Sequence, residues 1–95
     1  MRRSKRGEKV GVALAYSPAE DAPRVLASVR GHLVERLERM AFEHGVEIYR
    51  DADLAEALSA IDVGSTVPPE LYRAVAEVLA YCYRINERLK DKLAE

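Results

Sequence analysis

From Val10 to Tyr16 the chain alternates strictly. Val10, Val12, Leu14 and Tyr16 fall on one side, Gly11, Ala13 and Ala15 on the other. A period of two predicts a β-strand. This one has a bulky face and a small-residue face, which lets a helix approach closely. Ser17 to Pro23 holds two prolines that cannot donate to a ladder, and reads as a loop. Arg24 to Val29 is a second short apolar run, either a strand or the first turns of the next helix. Between Arg30 and His44, the residues Leu33, Val34, Leu37, Met40 and Ala41 make one apolar stripe at helical spacing. Gly45 supplies the stop. Val46 to Arg50 then predicts a further strand with Val46 and Ile48 inward, and the strand–helix–strand order predicts a parallel pair joined by a right-handed crossover.

Asp51 or Asp53 can cap a short helix reaching Ala60, with Leu54, Leu58 and Ile61 inward. A loop from Asp62 to Val67 follows. Pro68 and Pro69 open the last helix, where a missing amide donor costs least. That helix carries Leu71, Val75, Val78, Cys82, Ile85 and Leu89, spaced 4, 3, 4, 3 and 4. From Asn86 onward charge dominates, leaving Leu89 and Leu93 as a weak partner contact. The pattern predicts a small α/β domain, a mixed sheet of about three strands with about three helices packed on it. Its parts are a basic tail over 1–9, the domain over 10–86 and a charged helical extension over 87–95.

Composition narrows the picture. The chain has 95 residues, 48% hydrophobic and 33% charged, enough for one soluble domain with one core. Fifteen basic and sixteen acidic residues give a formal net charge of -1. That balance argues against a nucleic-acid binder relying on overall charge. A single cysteine forms no internal disulfide, so no oxidising compartment is required. The longest apolar runs, Val10–Tyr16 and Val78–Tyr83, are too short to span a bilayer. The basic start is followed by no apolar stretch of a secretory signal. The expected compartment is the cytoplasm.

Motifs for chemistry are missing. The sequence holds no glycine-rich nucleotide fingerprint, no phosphate loop, no nucleophile elbow and no His-Glu-x-x-His. Cys82 lies on the apolar stripe and reads as a small buried hydrophobe. His32 and His44 share one predicted helix, with no second pair to complete a metal site. Asp51, Asp53 and Glu56 hold the oxygen ligands a hard cation wants, and helix capping accounts for at least one of them. Two rival functions remain: a nucleic-acid-associated protein using the basic tail, with salt-sensitive binding lost on deleting residues 1–9, and an enzyme joining His44, Asp51 and Asp53 in a cleft. Tyr72, Tyr81 and Tyr83 fall on the last helix, where exposed tyrosines mark a protein-binding face.

Three stretches together carry a resemblance: VALAYSPAEDAPRVLA (12–27), LVERLERMAFEHGVEIYRDADLAEAL (33–58) and VPPELYRAVAEVLAYCYRIN (67–86). They resemble the cytosolic C-terminal domain of the FlhB/YscU family, the export-switch proteins of flagellar and type III secretion systems. Family members place a membrane domain ahead of this one. Their hallmark is Asn-Pro-Thr-His just before the Val-Ala-Leu strand, where the asparagine side chain attacks its own carbonyl and splits the chain. The four matching positions here are Arg6, Gly7, Glu8 and Lys9. None can perform that step, and Asn86 is the only asparagine in the sequence. The resemblance therefore implies a non-cleaving module, like the family's C-terminal product made as a free-standing protein.

It implies three further things. The first is an unpaired edge at Val10, Val12, Leu14 and Tyr16, because the family's preceding strand is replaced by the basic tail. That edge is expected to accept the matching strand of a full-length FlhB homologue, or to pair in a homodimer. The second is an apolar pocket for export signals at Ala22, Pro23, Ala76 and Leu79. The third is a set of partners: export-gate proteins and flagellar or type III export substrates, with no nucleic acid, no cofactor or metal, and contact with a membrane only through the gate.

Overall fold

The computed structural model describes residues 8–17 and 19–94, with the side chains of residues 86, 89, 90 and 92–94 left outside the description. Strand β1 (Val10–Ala15) and strand β2 (Arg24–Arg30) are followed by helix α1 (His32–Glu43) and helix α2 (Ala52–Leu58). A 3₁₀ turn (Pro69–Leu71) leads into helix α3 (Tyr72–Ala94). The α/β class and the three helices are as expected. Arg6 and Gly7 of the tail, and the Leu89 and Leu93 contact, lie outside the described residues.

β1 and β2 pair antiparallel, Val10 opposite Arg30 and Ala13 opposite Ala27. The short loop between them permits only that direction, since parallel neighbours need a long crossover. Past Ala13 the register shifts and Leu14 faces Val25. Leu26, at this irregularity, is 55% exposed while Val25 is fully buried. The shift turns Val25 onto the same face as Val12 and Leu14, where a regular strand would have carried it away.

The two faces carry different layers. On the small-residue face α1 lies close: a Cβ added to Gly11 would stand 3.3 Å from Leu37 Cδ2 and 3.5 Å from Val34 Cγ1. On the other face Val25, Leu58, Val67 and Val75 form the core, with Val12, Leu14, Leu54, Ile61, Leu71 and Leu79 packed around it. Gly11→Leu is expected to push α1 off the sheet, at a cost of about 1–3 kcal/mol from overpacking. The measure is the urea midpoint at unchanged slope.

The expected strand at Val46–Arg50 and its parallel crossover do not form. Two features of the chain prevent it. First, Gly45, at φ 71, ends α1. Its N–H donates to Phe42 O at 3.3 Å, and the Val46 N–H donates to Ala41 O at 2.8 Å. This doubly bonded stop consumes the first amide of the supposed strand. Second, the start of the far edge of β2 is already taken. The Val25 N–H donates to Ser65 O at 2.9 Å, Gly64 N–H to Val25 O at 2.7 Å and Val67 N–H to Pro23 O at 2.8 Å. The sheet among the described residues therefore has two strands, not three.

Element boundaries differ slightly from expectation. Arg24 to Val29 is a strand, and β2 keeps Arg30, so α1 starts at His32. Asp51 rather than Asp53 caps α2, accepting from the Leu54 N–H at 3.1 Å. Pro69 opens a 3₁₀ turn, and the α-helix proper begins at Tyr72.

Candidate functional site

Where the loop after β1 meets α3, the surface opens into a hollow of about 270 Å³. Pro23, Val75, Ala76 and Leu79 give it apolar walls, with Tyr16, Tyr72 and Asp21 completing the lining. Tyr72, Val75, Ala76 and Leu79 recur at helical spacing, so one stripe of α3 serves twice. Val75 is buried in the core, whereas Tyr72 and Ala76 are exposed. Pro23 is fixed from the other side through its carbonyl, which accepts the Val67 N–H. Arg24 ties the loop down, reaching Glu20 Oε1 at 3.2 Å and donating to Gly64 O at 2.6 Å.

Three of the four residues expected to form a pocket, Pro23, Ala76 and Leu79, thus line one hollow. Ala22 does not: it is 5% exposed and belongs to the buried set. Tyr16, Asp21, Tyr72 and Val75 also line it, though the sequence places none of them in the pocket: its pattern puts Tyr16 on the strand edge, Tyr72 on a tyrosine face and Val75 in the apolar stripe. The spacing of Tyr72 from Ala76 and Leu79 holds the signal for Tyr72. Tyr16 and Asp21 are brought there only by the path of the loop.

The outer edge of β1 is defined by the ladder. The Gly31 N–H donates to Lys9 O at 2.9 Å, so Lys9 and Gly31 form a hydrogen-bonded pair. Alternation then gives Gly11 and Ala13 bonds to β2, and turns the backbone groups of Val10, Val12 and Leu14 outward. Among the described residues no strand pairs with that edge. Tyr16 lies one residue past the strand. Glu8, at a position matching the family's cleavage turn, faces Arg30 at 3.9 Å. Arg30 also binds Glu56 at 2.8 Å and Ser59 Oγ at 3.1 Å, tying the end of β2 to α2.

The rival catalytic grouping has other occupations. His44 Nδ1 lies 2.9 Å from Met40 O, and Asp51 is a helix cap. Among the described residues no three His, Cys, Asp or Glu side chains are placed to hold a metal ion. The Cys82 thiol is half-buried on α3, and its pKa is raised, chiefly by burial and then by Glu47. It therefore stays protonated to higher pH than a free thiol. Iodoacetamide is expected to label it several-fold more slowly at pH 8 in buffer than in urea, read by mass spectrometry.

A second hollow, more polar, lies between the segment after α1 and α3, lined by Ile48, Tyr49, Arg50 and Tyr81. The Tyr49 and Tyr81 rings meet edge to face at 5.2 Å. Arg50 binds Glu38 at 2.9 Å. This contact anchors the stretch expected as a strand. Tyr72, Tyr81 and Tyr83 are all exposed on α3. No helix among the described residues is long and apolar enough to cross a membrane.

The structure is a two-stranded antiparallel sheet with helices packed on it and an apolar hollow between the loop after β1 and α3. Residues 8–82 match the model of the FlhB, HrpN, YscU and SpaS family, and the chain belongs to that family. It is 37% identical over 82 residues to YlqH of Bacillus subtilis (strain 168), spanning 85% of this chain and 88% of that one. It is 36% identical over 74 residues to the flagellar biosynthetic protein FlhB of Aquifex aeolicus (strain VF5), spanning 76% of this chain and 21% of that one. The chain thus corresponds to nearly all of one relative and to about a fifth of the other. The PscU C-terminal domain superposes with a TM-score of 0.73 at 29% identity, covering 77% of this chain and 95% of that domain. A mutated EscU C-terminal domain shares the fold, with a TM-score of 0.74 at 18% identity. The chain is a module like the C-terminal domain of flagellar and type III export proteins.

Proposed function

We propose that this chain is a non-catalytic docking module of the flagellar or type III protein export apparatus, acting in the cytoplasm at the export gate. It takes the place of, or modulates, the C-terminal switch domain of a full-length FlhB homologue and binds export substrates there. The observation that carries this reading is the apolar hollow, which unites Pro23, Ala76 and Leu79 from the loop and α3. An open hollow floored by buried Pro23 and Val75, with Ala76 exposed at its rim on a rigid helix, suits insertion of a partner's side chain. The test is complementation: the chain is expressed in cells whose full-length homologue is truncated ahead of its C-terminal domain. Motility or secretion is expected to return. No rescue, with no export component retained on the immobilised chain, would remove the proposal.

The β1 edge supports a second contact. The outer side of β2 is met at Val25 by Gly64 and Ser65, whereas Val10, Val12 and Leu14 present backbone groups outward with no strand beside them among the described residues. Such an edge accepts an added strand, from the homologue or from a second copy. In the isolated monomer the amides of Val10, Val12 and Leu14 should exchange at least tenfold faster than those of Gly11 and Ala13. Mixing with the partner should slow the first set alone. Equal protection of both sets in the monomer would end the edge reading.

A further inference from the structure

The apolar hollow is lined by one charged group, Asp21. The acidic residue before it, Glu20, is held by Arg24. Arg24 is committed further to the Gly64 carbonyl, so the nearest cation in sequence is already engaged. Asp21 is exposed, and no ion pair or hydrogen bond joins its side chain to any described residue. An unmatched carboxylate at an apolar hollow repels an acidic neighbour and favours a cationic one.

We propose that Asp21 makes the hollow charge-selective. It takes an extended peptide segment that inserts one large apolar side chain between Pro23, Ala76 and Leu79 and carries a lysine or arginine beside it. This deepens the docking reading above and rests on it. The shape of the hollow argues for a peptide: it is open at the surface rather than an enclosed cavity that would bury most of a small molecule, and suits one protruding side chain. The chain's own basic N-terminal segment is a poor occupant, since no apolar residue lies between Met1 and Val10.

The test uses the full chain and three short dye-labelled peptides, each with one phenylalanine in a glycine–serine background, flanked by lysine, glutamine or glutamate. Fluorescence anisotropy is expected to rank them lysine, glutamine, glutamate. The lysine peptide should bind about twofold to fivefold tighter than the glutamine one, the range for an exposed ion pair. Asp21→Asn should bring the lysine-to-glutamine ratio to one, and about 0.5 M salt should compress the ranking. Circular dichroism checks that the variant is folded. Equal affinity for all three peptides, or a ranking that survives Asp21→Asn, overturns the charge selection and leaves the docking reading standing. No binding of any peptide to the wild-type chain overturns the docking reading and the selection together.

Discussion

Ala76→Glu is expected to abolish rescue of export while leaving the domain folded. Ala76 is exposed on α3 and lines the hollow beside Asp21. A glutamate there fills apolar space with a carboxylate and sets it near another of the same sign. A partner's apolar side chain would have to desolvate that group without a hydrogen bond in return, which costs on the order of 1–3 kcal/mol. Affinity for a docking peptide should fall at least about fivefold. The fold should hardly notice, because glutamate costs only a few tenths of a kcal/mol in helix propensity and the site is at the surface. The paired measurement is anisotropy with the glutamine-flanked peptide, beside thermal unfolding of the same sample. A loss of binding of about fivefold or more with an unchanged melting curve supports the hollow as the docking site. Unchanged binding removes it.

Leu58→Ala is expected to have the largest effect on stability. Leu58 ends α2, is 4% exposed, and packs with Val25, Val67 and Val75. Truncating it removes apolar contact and leaves a cavity, at about 2–5 kcal/mol. A domain of this size holds about 5–15 kcal/mol in total, so the loss takes a large fraction of it. The urea midpoint should move by about 0.7 M or more, given a slope of about 1–3 kcal/mol per M. Leu26→Ala is the control. Leu26 is as apolar as Leu58 but 55% exposed at the strand irregularity, so its loss should change stability by no more than about 0.5 kcal/mol. The contrast separates burial from hydrophobicity. A Leu58→Ala midpoint equal to that of Leu26→Ala would mean that the core lies elsewhere.

Several features were readable because their causes are local. The β1 alternation, the stripe of α3, the glycine stop after α1 and the acidic cap of α2 each depend on residues within a few positions of one another. The small-residue face of β1 even announced a close helix, and Gly11 is where Leu37 and Val34 of α1 come near. The supposed strand at Val46–Arg50 shows the opposite case. Its signal was two inward positions, Val46 and Ile48, and either a strand or an extended connector satisfies so short a pattern. Val46 is 58% exposed, and Tyr49 stacks on Tyr81 instead of joining a ladder. In the hollow, Pro23, Ala76 and Leu79 were reached through family resemblance. Tyr16 and Asp21 had no signal at all, because their approach to α3 depends on the path of the loop.

The sequence by itself determined the two strands and three helices that form, most of their boundaries, the two unlike faces of β1 and the presence of a single asparagine, Asn86. All of these are properties of neighbours along the chain, where side-chain period, capping and composition act directly. Tertiary structure alone decided which strands pair, which edge of β2 residues 64–67 occupy, and that Asp21 stands beside an apolar hollow with no partner among the described residues. Those outcomes are set by competition among distant groups for the same hydrogen bonds and the same buried space. Ser65 reaches Val25 and Gly64 reaches Arg24 across some forty residues, a separation over which no periodic pattern carries information.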